Sequence, residues 1–237
     1  MNYEQKAYQE AQRWLVKMEK NEGLFYKKSK QMQNVWNKKI PQRFHQIVTE
    51  SIKKMIQLSI TSSEYIYKIS VDDQWDLEER EKKIADRFEY YKKTAMVEGA
   101  STGAGGLFLG MADFPLLLGI KMKFLFDLGQ LYGFDVKKHE ERMFLLHLFF
   151  LTYSRDKKKQ EVLHIVKNWD RFKWKFEEVD WYHLQQEYRD TLDVVKLFQL
   201  IPGFGAVVGV WANARLLEQL KETAMNASRL RLMNDNN

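Results

Sequence analysis

The sequence predicts an all-α fold: a single multi-helix domain with two glycine-rich apolar helical segments set into a charged helical scaffold. Three observations lead there. Apolar residues recur at helical spacing along most of the chain, the period of helices that bury one face. Only three prolines, Pro41, Pro115 and Pro202, interrupt 237 residues. No strand–helix alternation, internal repeat or low-complexity linker divides the chain, so residues 1–237 read as one domain. Hydrophobic residues are 45% of the chain, enough for a core.

The elements follow in order. Tyr8, Ala11, Leu15 and Met18 form one face of a first helix, which Asn21 and Gly23 end. After Pro41, Phe44, Ile47, Val48, Ile52, Met55, Ile56 and Ser59 line one side of a second. Asp76 followed by Glu79 is the pattern of a capping box. The helix it opens carries Ile84, Phe88, Tyr91, Ala95 and Met96. Asp113 before Phe114-Pro115 reads as a cap with proline in the first turn, starting a helix that runs to Tyr132. Gly133 supplies the left-handed residue that closes it, with Phe134 folding back. Asp135 is placed to cap the next helix, whose inner face holds Met143, Leu146, Phe150 and Tyr153. A basic helix spans Lys157 to Val166. "FKWKFEEV", Phe172 to Val179, alternates with period two and fits either a short strand or an irregular helical turn. Asp180 caps a helix through Leu200, and a last helix runs from Pro202-Gly203 to near Met233.

Composition excludes some functions and favours others. With no cysteine there is no disulfide, thiolate metal site or cysteine nucleophile. The start "MNYEQKAYQEAQRW" is polar and lacks the apolar core of a secretory signal, so the expected place is the cytoplasm. Net charge is +6, with lysines clustered at Lys27-Lys28, Lys38-Lys39, Lys53-Lys54, Lys92-Lys93, Lys137-Lys138 and Lys157-Lys158-Lys159. Such an excess favours an anionic partner, above all the acidic inner face of a membrane. Nucleic acid is disfavoured, because zinc-finger spacing, aromatic RNA-binding signatures and a short helix-turn-helix are lacking.

The two apolar segments are residues 100–120 and 197–214, each near the ~20 residues of a spanning helix. Asp113-Phe114-Pro115 cuts the first and Pro202-Gly203 the second, leaving hairpin-arm lengths. Gly99, Gly103, Gly106 and Gly110 are spaced to form one bare strip on a helix, and Gly205 and Gly209 repeat the device. Small residues at this spacing let helix backbones approach closely, especially in lipid. The strip is therefore expected to serve helix packing or membrane contact, and Asp113, Pro115, Gly133, Asp135 and Pro202 to serve as bends and caps.

The same stretch, "GASTGAGGLFLG", also contains the G-x-S-x-G of a hydrolase nucleophile at Ser101. That elbow needs a strand before the serine, and the preceding residues read as helix. A phosphate loop needs a lysine after its last glycine, where Leu107 and Met111 stand. Glu161-x-x-His164 and Asp180-x-x-His183 have metal-ligand spacing but lie in a lysine-rich run and at a helix cap. His147, within "LLHLFF", reads as a hydrogen-bonded core residue. No catalytic residue, metal site or cofactor is therefore assigned.

"STGAGGLFLGMADFPLLLGIKMKFLFDLGQLYGFD", with the later "LIPGFGAVVGVWANA", resembles the EcsC family, the match running from Lys93 to Leu232. That family is named for a gene that accompanies those of an ABC transporter in Gram-positive bacteria. The resemblance implies an accessory role in transport or secretion and carries over no catalytic residue. The expected function is a non-enzymatic accessory protein, peripheral to the cytoplasmic membrane face, whose partner is an anionic membrane surface or a membrane protein such as an ABC transporter. The alternatives are a hydrolase using Ser101 or Asp113, and a module that binds a lipid or peptide ligand.

Overall fold

The computed structural model describes residues 1–20, 42–61, 69–103, 114–154, 156–176 and 206–235, and the regular elements among them are all helical. They are α1 (Tyr3–Lys20), α2 (Gln42–Thr61), α3 (Leu77–Gly103), α4 (Phe114–Leu131), α5 (His139–Tyr153), α6 (Asp156–Lys167), α7 (Trp169–Phe172) with a 3₁₀ turn at Lys173–Phe176, and α8 (Ala206–Asp235). The all-α prediction holds. The alternating stretch resolves as the end of α7 and the 3₁₀ turn as far as Phe176. The helix assigned to 180–200 lies outside the described residues.

Local chemistry sets the helix ends. At α3 the Asp76 carboxylate accepts the Glu79 N–H at 2.9 Å while Glu79 accepts the Asp76 N–H at 3.0 Å. This reciprocal box satisfies two backbone donors that the first helical turn leaves without partners. Asn2 and Gln5 make the same exchange at α1, at 2.9 and 3.2 Å. The α4 C-terminus closes as a Schellman motif: Gly133 donates to the Gln130 carbonyl and Phe134 to the Gly129 carbonyl, both at 2.9 Å. Gly133 has φ +90°, a conformation in which a side chain is strained.

Asp135 differs from its expected role. Its carboxylate accepts the Lys137 N–H at 3.1 Å, within the turn, and Lys138 is the residue that precedes α5, with no side-chain cap. The chain needs three more residues to redirect itself before the helix begins. Arg142 reinforces that turn, donating to the Val136 carbonyl at 2.8 Å and to the Ile60 carbonyl of α2 at 2.7 Å.

The core is built around α4 and α5, which are apolar on nearly every face and bury Phe124, Phe126, Phe144, Phe149 and Phe150 completely. A helix that is apolar all round can be stable only when other helices cover it. α2, α3 and α8 pack on α4, α6 and the 3₁₀ turn on α5, and α1 lies against α8 and α3. The close α4–α5 approach rests on Gly129, where a Cβ would stand 3.0 Å from both Leu145 methyl carbons.

α3 and α8 form the most extensive helix pair among those described. They are antiparallel, since Glu81 bonds Arg229 and Lys92 bonds Glu218, a step of eleven residues on each helix. Tyr91 of α3 bonds Asp127 of α4, and Lys121 of α4 bonds Asn213 of α8. α4 therefore runs against α3 and with α8. The C-terminus of α3 and the N-termini of α4 and α8 share one end of the bundle.

Candidate functional site

Three levels of polar contacts cross the α3–α4–α8 interface. At the first, the buried Glu81 carboxylate receives Arg229 through Nε at 2.7 Å and Nη2 at 2.5 Å, a two-pronged charge-assisted pair. Tyr132 donates to Glu81 at 2.9 Å and Tyr3 at 2.6 Å. The remaining Arg229 nitrogen reaches Glu10 of α1 at 3.0 Å and Asn226 at 3.4 Å. Burial, then the bond to Glu81, raises the Tyr3 phenol to about 12, and burial, then the Glu81 charge, pushes Tyr132 well above the ordinary value. Burial works against the Arg229 charge, but the Glu81 contacts outweigh it. Both Glu81 oxygens are engaged, so the group ties four segments together.

At the second level Tyr91 donates to Asp127 at 2.9 Å, with Arg87 Nε 3.8 Å away. Burial raises the Asp127 carboxyl, and the Tyr91 bond opposes that. Nearby, Lys221 of α8 lies over the Phe88 ring at 4.1 Å. At the third level Lys121 and Asn213 are both fully buried, and the Lys121 amine donates to Asn213 Oδ1 at 3.2 Å. Desolvation lowers this amine to about 7, because a neutral amide cannot compensate a buried charge.

Elsewhere, Arg231 pairs with both Glu141 oxygens at 2.6 Å and lies between the Phe134 and Phe144 rings, 4.6 Å from each centroid. His147 is fully buried and meets the Met143 carbonyl through Nδ1 at 2.7 Å, amid Trp169 and Phe176. Burial lowers it to about 4, so it is a neutral core residue, as its sequence setting predicts.

A cleft of ≈ 1020 Å³ opens where α1, the start of α3, the α4–α5 turn and the end of α8 meet. Tyr8, Ile69, Val71, Trp75 and Leu232 form its apolar wall. Carboxylates from Glu4, Asp73, Asp76 and Asp135 line it, against the cations Arg80 and Lys137. The Arg80 guanidinium is occupied by the Trp75 carbonyl at 2.9 Å and the Leu131 carbonyl at 3.1 Å.

The residues singled out from sequence fall in two groups. Gly99 and Gly103 lie on the last turn of α3 and Gly209 on the first of α8; Pro115 is in the first turn of α4, and Gly133 closes it. Gly106, Gly110, Asp113, Pro202 and Gly205 lie outside the described residues. Ser101 sits inside the continuous helix α3, which lacks the strand a nucleophile elbow requires. Glu161 pairs with Lys158 at 3.0 Å, and His164 stacks edge-on to Phe172. Among the described residues no group of three or more acids and histidines is gathered as for a metal. Glu81, Arg229 and Lys121 were not singled out. A lysine in the apolar run "LLLGIKMKFLF" is the signal that marks Lys121.

No solved structure matches the chain. It is 43% identical to Protein EcsC of Bacillus subtilis (strain 168), over 99% of this chain and 98% of that protein. It is 37% identical over 135 residues to the uncharacterized protein YdbA of the same organism, covering 55% of this chain and 50% of that one. The sequence profile of the EcsC protein family matches residues 5–233, and with near-complete alignment to a relative of that name this chain belongs to the EcsC protein family.

Proposed function

We propose that this chain is a non-enzymatic accessory protein that docks peripherally on the inner face of the cell membrane and assists a transport or secretion system there, an ABC transporter being the partner the family resemblance implies. One observation carries this: α3 ends, and α4 and α8 begin, at the same end of the bundle. The described helix ends within the glycine-rich apolar segments 100–120 and 197–214 thus lie together. The +6 charge supplies the long-range attraction to acidic lipid. Among the described residues no helix is long and apolar enough to cross a membrane. The non-enzymatic reading is supported by Glu81 and Arg229, which are engaged with each other, and by Asp127, which accepts from Tyr91.

The test is flotation with phosphatidylglycerol vesicles. The protein is expected to float at low salt and to be released by high salt. Failure to float at low salt removes the membrane part of the proposal. Retention until detergent replaces peripheral docking with insertion.

A further inference from the structure

We infer that the cleft between α1, α3, the α4–α5 turn and the end of α8 is a docking groove for a basic amphipathic helix of a partner protein. Its volume of ≈ 1020 Å³ sits at the upper limit of small-ligand pockets, and it is open at the surface. Its apolar wall is only partly covered: Tyr8, Ile69, Val71, Trp75 and Leu232 pack on the core yet keep exposed surface. Apolar side chains that remain uncovered beside charged neighbours mark a surface that another chain covers.

Charge selects the occupant. Four carboxylates line the cleft against two cations, while the chain as a whole carries +6. This concave end therefore has the opposite sign to the rest of the molecule. Glu4 and Asp73 are exposed, and among the described residues neither is held by a bond to a cation. They are free to receive lysine or arginine from a docked chain. An amphipathic helix would lay leucine-like side chains on the Val71–Trp75 wall and its basic flank against Glu4 and Asp73, the helix-in-groove mode of recognition. An acidic lipid surface would be repelled by the same carboxylates. The inference stands apart from the membrane reading, because the cleft is at the opposite end of α3 from Gly103.

The probe is a synthetic leucine–lysine helix of about five turns, with a leucine–glutamate helix as its charge control. Binding to the full chain is followed by calorimetry and by methyl NMR. The basic peptide is expected to bind, to perturb Ile69, Val71 and Leu232, and to weaken as salt rises. Glu4→Lys and Asp73→Lys, both surface changes that leave the caps intact, should together weaken it about tenfold or more. Glu161→Lys, on α6, should leave binding unchanged. Equal binding of the two peptides, perturbations away from the cleft, or affinity indifferent to the paired reversal would overturn the inference. So would self-association that Val71→Asp abolishes, which would assign the groove to a second copy of this chain.

Discussion

The two ends of the α3–α4–α8 layer are built on opposite principles. At the cleft end, charge is buried and fully answered: Glu81 holds Arg229 by two bonds and receives two tyrosines. Backbone groups there are closed by a capping box and a Schellman turn. Toward the glycine end, the buried Lys121 meets one neutral amide, and the charge it would carry is suppressed by desolvation. The cleft end is thus locked by directional bonds, whereas the level nearest the glycine end holds a desolvated amine that deprotonates near neutrality. A locked end suits a preformed recognition surface.

Four perturbations separate the two ends. The largest effect is expected from Glu81→Ala, which leaves the Arg229 charge and two tyrosine hydroxyls short of their main partner. Breaking such a pair costs about 3–5 kcal/mol, read as a lower urea midpoint. Replacing both partners, Glu81→Leu with Arg229→Leu, should recover much of that loss. A cost below about 1 kcal/mol for the single change would show that the network does not hold this end.

Next is the pH response of Lys121. Its folded amine deprotonates near 7, whereas the unfolded amine keeps its proton to about 10.5. The unfolded chain binds more protons between those values, so stability rises with pH across that window, by at most about 1.4 kcal/mol per unit. Lys121→Met should flatten the rise between neutrality and the onset of tyrosine ionisation. An unchanged slope would mean that the amine is solvated in the folded protein.

Gly133→Ala forces a side chain into positive φ and brings its Cβ to 3.2 Å from Arg80 Nη1. A loss of about 1–2 kcal/mol is expected, with weaker binding of the basic peptide because the turn lines the cleft. Asp76→Ala, which removes one half of the α3 capping box, should cost about 1 kcal/mol by thermal melting. If either change left cleft-end stability untouched while Lys121→Met altered it, the proposed division between the ends would fail.

What was legible in the sequence was local. The Asp76–Glu79 box, proline in the first turn of α4 and the Gly133 closure each depend on residues within one turn of one another. The buried role of His147 followed from its apolar neighbours. The Asp135 cap was misjudged because the length of the turn before α5 depends on how Arg142 ties it to α2. Among the described residues a close helix approach stands at Gly129 against Leu145, a glycine outside the strip from Gly99 to Gly110. Spacing along one helix does not say which face meets a neighbour.

By itself the sequence determined the helical class, most helix ends, the excess positive charge and the family, since these rest on composition, local hydrogen bonding and ordered motifs. Only the tertiary structure decided that Glu81 meets Arg229 across 148 residues, that Lys121 is desolvated, and that α1, α3 and α8 enclose a cleft with acidic lining. The physical reason is that burial and charge pairing are properties of packed surfaces. They come into being when distant helices dock, and no single stretch of the chain contains them.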